Sequence, residues 1–546
     1  MSAHKANAAA ELRDDLTCDV AVVGSGGGGL VAALRAADLG LDVVLIERSD
    51  FIGGTTAVSG GVLWAPNHDL MAELGIEDSS EAGTEYLRAA TKGGMSEESI
   101  AWFVDAAPKA VRYLQQNTRV ELVGVPRPDY HSELPGASRG RGVECKPLDV
   151  RAHDGLEELL RRSTYFPPMT IVERDEWQGG QPDFALIQER AANGVRTLGG
   201  ALVGRLILSA QDRGVRIFTG VRARRLSGDG RGVDGLEAEA DAGTVHIATR
   251  HGVVLASGGF EWSEELQEAF LPAPVAPVSP PYNEGDGLKM GLRVGAAVKN
   301  MSRVWGVPTI QDPEHIYDGR QSGRVANVEL TLPGAIAVNR HGERFINEAL
   351  NYHDLAKIFT DVDPIDGTLR NQPAWMIFDA RYRRSYPLVG HPPGDSAPDW
   401  VATAPGLPEL AAQLGIDPEG LEKTVTAFNA AASEGFDPLF HRGEKAQDRH
   451  LADKNWGPNP SLAPLTEPPF YAVPIRSGAL GTAGGLSTDD LGRVLDEDGT
   501  PIPRLFAAGN VTANLYGDTY PGAGATITAA VVRGYAIGDA LAESLR

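Results

Sequence analysis

The run Asp19-Val20-Ala21-Val22-Val23 passes directly into Gly24-Ser25-Gly26-Gly27-Gly28-Gly29, and apolar residues then recur at helical spacing from Leu30 to Leu39. The apolar run predicts a strand buried on both faces, as in a parallel sheet. The glycines permit a tight turn and let backbone N–H groups approach a pyrophosphate. The N-terminus of the following helix favours that negative charge. Asp42 to Ile46 predicts a second buried strand and closes a βαβ unit. Glu47 ends that strand, eighteen residues past Gly29, where a carboxylate can accept both hydroxyls of a ribose. Strand, turn, helix and acid in this register predict an α/β, Rossmann-type nucleotide site that includes Gly24, Gly26, Gly29 and Glu47.

The 546 residues exceed what one simple core usually organises, so more than one domain is expected. The formal charge of −23 argues against non-specific nucleic-acid binding, which needs a basic surface. The only cysteines, Cys18 and Cys145, have no metal-ligand spacing and fit a reducing, cytoplasmic setting. The stretch Met1 to Thr17 is charged throughout, unlike a secretory signal, and its first sixteen residues are expected to form a mobile tail. There is no uncharged apolar run long enough for a transmembrane helix, and no His-Glu-x-x-His or other metal motif.

Further along, a helix is expected near Ser96–Thr118 and long irregular loops over Val123–Tyr165, where such loops often cover a site. Leu198–Arg213 reads as a helix, Val215–Phe218 as a strand, Gly232–Thr249 as an antiparallel meander and Val253–Ala256 as another buried strand. After about Met301 the βαβ alternation stops. Glycine-rich order returns near Arg476 and leads to a last helix, Ala525–Ser544. The expected division is a nucleotide-binding domain from residues 17–300 and 472–546, with active-site loops near 120–170, and an inserted α+β domain from 301–471.

The βαβ unit alone does not separate FAD from NAD. Gly53-Gly54-Thr55-Thr56 follows Glu47 closely, and Leu505-Phe506-Ala507-Ala508-Gly509-Asn510 offers a distant second strand-to-turn contact. Two such contacts suit the longer FAD, whereas NAD is normally held by one continuous domain. The segments VVGSGGGG, VVLIER, GGTTAVSGG, VLASGGFE, PGAIAVNRHGERFINE, LGTAGGLSTD and LFAAGN, in this order, resemble the flavoprotein family of fumarate reductase, succinate dehydrogenase and the 3-ketosteroid dehydrogenases. The resemblance implies a FAD domain with an inserted catalytic domain. The expected cofactor set also includes Arg48, Gly54, Thr55, Ser59, Gly60, Gly61, Val221, Gly258, Gly509, Asn510, Ala525 and Ile527. Family members that bind FAD covalently use a histidine just before the segment matching Ser59-Gly60-Gly61. Thr55-Thr56-Ala57-Val58 stands there instead, so non-covalent FAD is expected.

Fumarate reductases clamp a dicarboxylate with arginine and a His-Thr-x-Gly-Gly segment. This chain has Gly481-Thr482-Ala483-Gly484-Gly485, without the histidine. Gly517-Asp518-Thr519-Tyr520-Pro521-Gly522-Ala523-Gly524 instead resembles the Δ1-dehydrogenase branch, in which a tyrosine and a glycine N–H hold the substrate's carbonyl oxygen. That implies Tyr520 and Gly524 here, and a helix N-terminus at Gly524 could stabilise an enolate. By the same resemblance Tyr352, just past Arg344-Phe345-Ile346-Asn347-Glu348, is the expected base and Tyr130 an assisting residue. His353 is expected to point elsewhere on a strand. Asp286, Trp64 and Trp305 are read as structural. The expected activity is desaturation of a hydrophobic cyclic ketone next to its carbonyl, foremost Δ1 of a 3-ketosteroid. Smaller cyclic ketones, Δ4-(5α) desaturation, enoate reduction and a non-enzymatic flavin-binding role are the alternatives. No signal identifies the electron acceptor.

Overall fold

The computed structural model describes residues 12, 14–177, 182–228, 230 and 232–546. Most of the expected N-terminal tail lies outside these residues. Leu12 is an exception to a mobile tail: it is buried in the core beside Cys18 and Ala21, and strand Leu16–Val23 already begins at Leu16.

The nucleotide-type sheet has eight strands among the described residues. Its path runs Arg493–Leu495, Pro501–Ala507, Gly243–Leu255, Leu16–Val23, Val43–Ile46, Arg216–Phe218. The four neighbouring pairs from Pro501–Ala507 to Arg216–Phe218 are parallel. Val43–Ile46 is buried at every position, as strands with both faces covered must be. Burying each such Val, Leu or Ile side chain contributes roughly 1.5–3 kcal/mol. Gly243–Leu255 is one long strand whose first half pairs in the Arg222–Gly228, Val233–Ala240 meander and whose second half joins the parallel sheet. The sequence divides it into two elements because its outer half alternates and its inner half does not.

Helix Gly27–Asp38 packs beside the final helix, Ala525–Ser544, with no room between backbones. A Cβ on Gly534 would lie 2.4 Å from the carbonyl oxygen of Gly28. Two ends of the chain thus meet behind the glycine turn.

Among the described residues a second sheet, of seven strands, is built around Phe470–Thr482. Its path is Arg324–Val325, Val304–Ile310, Phe470–Thr482, Ala374–Asp379, Ala335–Asn339. Phe470–Thr482 crosses the 471/472 division expected from sequence, and the short parallel strand Ala276–Pro277, from before residue 300, pairs with it in this sheet.

Two local expectations are corrected. Val123–Tyr165 is not all loop: Leu122–Val125, Gly142–Cys145 and Leu63–Trp64 form a three-stranded sheet. Tyr352 and His353 open a helix, Tyr352–Lys357, not a strand, because the Asn351 side chain caps the Asp354 N–H at 3.1 Å.

A buried ionic cluster anchors the segment leading to that helix. Arg344 pairs with Glu348 at 2.7 Å and Asp437 at 2.8 Å, and Arg442 reaches Glu348 at 3.1 Å. Glu348 also accepts the Ala337 N–H at 3.0 Å. Removing one member leaves desolvated charge on the others. Arg344→Met is therefore expected to lower stability by about 3–5 kcal/mol in a urea unfolding titration. An unchanged midpoint and slope would mean that the cluster does not hold this segment.

Candidate active site

A single cavity of about 1170 Å³ runs from the glycine turn to the tyrosines. At one end Gly24 has φ +103°, and a Cβ there would strike the Ala256 carbonyl at 2.4 Å. Gly29 could not carry a Cβ either, since it would lie 2.1 Å from Gly24 O. Gly26 and Gly54 differ. A Cβ on Gly26 meets only Thr56 Oγ1, at 3.7 Å, and one on Gly54 meets nothing nearer than 3.9 Å. These two glycines face the cavity, a cradle that larger side chains would fill. The Thr56 hydroxyl accepts the Gly27 N–H at 3.0 Å and fixes the turn.

Glu47 lines the same end. Its carboxylate accepts Ser25 N–H at 3.1 Å, Ser25 Oγ–H at 2.6 Å and Ser49 N–H at 2.9 Å. Arg48 is tied to Glu284 at 2.6 Å and to Asp286 at 3.4 Å, and Arg222 binds the same two acids. Asp286 thus sits in a structural ion network. Thr55, Ser59, Gly60, Gly61, Val221, Gly258, Gly509, Asn510 and Ile527 also reach the cavity wall. Ala525 does not: it is buried, and its carbonyl accepts the Tyr516 hydroxyl at 3.3 Å. The open glycines, the engaged acid and the length of the cavity fit an extended dinucleotide such as FAD. Sequence reading passed over Asn283, which donates to Thr55 Oγ1 at 3.2 Å and to Glu261 at 2.7 Å. Its only signal was its closeness to Asp286.

At the other end three phenol rings meet. Tyr130, Tyr352 and Tyr520 have ring centroids 5.3–5.4 Å apart in every pair. Tyr130 is only 8% exposed, so the loop that carries it is docked, not free in solvent. Its N–H donates to Pro521 O at 3.0 Å, and the Tyr86 hydroxyl donates to the same carbonyl. Lys357, at the end of the Tyr352 helix, donates to Asp518 O at 2.7 Å. Three separate parts of the chain are thereby pinned to the turn 517–524.

Gly524 caps the final helix with φ +97°. A Cβ on it would strike Val62 O at 2.2 Å. The backbone N–H groups of Gly524 and Thr526 bear on the Tyr520 oxygen, and its hydroxyl lies 3.0 Å from Thr526 Oγ1. Burial pushes all three phenols above the ordinary range. For Tyr352 the neighbouring Tyr130 and Tyr520 add to the rise. Burial holds His353 neutral, its pKa lowered to about 4, and its Nδ1 accepts the Gly306 N–H at 3.3 Å. Trp305 lines the cavity and donates to Asn510 Oδ1 at 3.2 Å, so it serves both packing and the wall. Trp64 stays structural, donating to Asp129 at 2.7 Å. Among the described residues no cluster of His, Cys, Asp and Glu could hold a metal, and no helix is long and apolar enough to cross a membrane.

The FAD binding domain family matches residues 19–527. The chain is 40% identical over 542 residues to 4-oxocyclohexanecarboxylate 2-dehydrogenase of Sinomonas cyclohexanicum, covering 96% of this chain and 93% of the relative. It is 34% identical over 563 residues to 3-oxosteroid 1-dehydrogenase of Mycobacterium tuberculosis, covering 95% and 97%. The crystal structure of 3-ketosteroid Δ1-dehydrogenase from Sterolibacterium denitrificans, in complex with 1,4-androstadiene-3,17-dione, superposes with a TM-score of 0.90 at 34% identity over 97% of this chain and all of that one.

Gly26 has extended backbone (φ −66°, ψ 175°) that any residue can adopt, so Gly26→Val is expected to fold. Its side chain would occupy cofactor space and weaken FAD by about 100-fold in a titration of the apoprotein. Unchanged affinity would place the cofactor elsewhere. The chain belongs to the FAD-binding flavoprotein family that contains the 3-oxosteroid 1-dehydrogenases, and is an FAD-dependent dehydrogenase acting on CH–CH donors.

Proposed function

We propose that this enzyme removes two hydrogens from adjacent ring carbons of a cyclic ketone and leaves a C=C bond conjugated to the carbonyl. The observation that carries the reading is the meeting of Tyr130, Tyr352 and Tyr520 beside Gly524, in a cavity continuous with the glycine cradle.

The ketone oxygen is held between the Tyr520 hydroxyl and the Gly524 N–H. Those donors, and the positive end of the final helix, stabilise the negative charge that develops on that oxygen. The α C–H bond weakens as the enolate forms. Tyr352 takes the α proton, with Tyr130 next to it as the path by which that proton moves on. When bound, FAD supplies the acceptor for the β hydrogen, which leaves with both electrons of its C–H bond. The two electrons then pass to an acceptor that regenerates the oxidised enzyme. FAD is held without a covalent bond through Gly24, Gly26, Gly29, Glu47, Gly54, Thr55, Gly509 and Asn510. The buried, unpaired thiols of Cys18 and Cys145 support a reducing, cytoplasmic location.

Two substrate classes share these reacting atoms. A 3-oxosteroid desaturated at Δ1 is supported by the 0.90 superposition and by the Tyr520–Gly524 pair. A monocyclic ketone is supported by the 40% identical relative.

Tyr352→Phe is expected to bind FAD as the parent does and to slow anaerobic flavin reduction by roughly 10²–10⁴. Parental rates in that variant would remove Tyr352 from the reaction. Because burial raises the phenols, the neutral form dominates near pH 7, and the proton-accepting form grows as pH rises toward the elevated pKa. Flavin reduction is therefore expected to accelerate about tenfold per pH unit from pH 7 to 9. A flat profile over that range would mean that another group is the base.

A further inference from the structure

Beyond the tyrosines the cavity wall carries positive charge that the reaction above leaves unused. Arg174, in the short helix Ile171–Trp177, lines the cavity and makes no side-chain hydrogen bond or ion pair with a described residue. Burial, and then the neighbouring Arg127, disfavour its charge. Arg127 is already satisfied: Asp175 binds it with both oxygens, at 2.6 and 2.5 Å. Arg324 stands near by. Its Nη1 lies 3.1 Å from His315 Nδ1, its guanidinium stacks 5.2 Å from the Tyr165 ring, and its Nε is buried without a partner. Tyr165 senses both arginines, and its hydroxyl is occupied by Val325 O at 2.7 Å.

Two acids lie near this pair: Asp175, whose oxygens are already bound by Arg127, and Glu329. Glu329 accepts the Val389 N–H at 3.1 Å through one oxygen, while the other is buried with no partner. Burial raises its pKa, and it forms no ion pair with either arginine. Arg174 thus sits half-buried on the cavity wall with no ion pair to a described residue, beside one carboxylate engaged by Arg127 and another that burial inclines to the neutral form. Such a cation gains when an anion arrives beside it.

The position matters as much as the charge. Arg174 and Arg324 line the same cavity as Tyr130, Tyr352 and Tyr520, and Arg174 acts electrostatically on Tyr130 as well as on Tyr165 and Glu329. A ring whose ketone is at Tyr520 therefore lies in one cavity with this charge. A neutral steroid such as 1,4-androstadiene-3,17-dione carries no anionic group to offer there. The guanidinium fork matches the two oxygens of a carboxylate. We infer that Arg174, supported by Arg324, is the specificity determinant for a carboxylate on the substrate, so that the preferred substrate is a cyclic keto acid. This rests on the ring-ketone desaturation proposed above.

The test compares 4-oxocyclohexanecarboxylate with its uncharged methyl ester as reductants of the anaerobic holoenzyme. The parent enzyme is expected to prefer the acid in kcat/KM. Arg174→Met is expected to reduce that acid-to-ester ratio by roughly 10–100-fold, mainly through KM. A ratio unchanged by the substitution overturns the inference. So does an equal loss with acid and ester, which would make Arg174 an electrostatic partner of the tyrosines only. A second measurement needs neither the variant nor turnover. Cyclohexanecarboxylate is expected to perturb the flavin spectrum of the parent enzyme at a Kd at least about tenfold below that of cyclohexanecarboxamide. Equal affinities contradict the carboxylate site. If neither ketone reduced the flavin while this preference held, the desaturation reading would fall and the anion site would stand.

Discussion

The active end of the cavity depends on one close contact, Gly524 pressed against the Val62 carbonyl with a left-handed backbone. No residue with a side chain fits there, because a Cβ would sit 2.2 Å from that oxygen. The contact places the first turn of the final helix against strand Leu63–Trp64. The Trp64 N–H donates to the Thr528 hydroxyl, which in turn donates to Gly524 O at 3.1 Å. The helix N-terminus is thereby locked toward the cavity, with the Gly524 and Thr526 N–H groups bearing on the Tyr520 oxygen. Electrostatic stabilisation of this kind works because the donors are already in place before charge develops.

The rest of the molecule serves that arrangement. The parallel sheet sets the glycine turn and strand Pro501–Ala507 on either side of Gly243–Leu255, so that one extended cofactor can touch both. The second sheet carries the Tyr352 helix and holds it through the Arg344–Glu348–Asp437 cluster. The loop with Tyr130 is fastened to Pro521 by its own backbone and by Tyr86. Three phenols from distant parts of the sequence converge without a carboxylate among them. Their shared burial keeps them neutral, which suits hydrogen-bond donation by Tyr520 and demands a proton path for Tyr352.

Much of this was legible in the sequence because local rules govern it. The βαβ unit and the final helix follow from apolar periodicity and glycine placement, and helix Ala525–Ser544 has the expected bounds. The resemblance of the Tyr-x-Gly-x-Gly pattern pointed to Tyr520 and Gly524, and Gly524 does cap the final helix. What periodicity could not give is long-range. The strands Leu122–Val125 and Gly142–Cys145 are short and rich in glycine, so only their pairing with Leu63–Trp64 reveals them. The Tyr352 segment reads as extended until the Asn351 cap turns it into a helix. Arg174 looks like a surface charge in a polar stretch. Its place on the cavity wall near Arg127, without an ion pair to a described residue, appears only when the chain is folded.

The central claim is that an enolate forms at Tyr520 and Gly524 with Tyr352 as its base. It can be isolated from hydride transfer by keeping the flavin reduced. A cyclic ketone incubated in D2O with the reduced enzyme, and followed by proton NMR, should exchange its α hydrogens for deuterium, and Tyr352→Phe should abolish that exchange. Ketone that binds yet keeps its α hydrogens throughout would contradict the account.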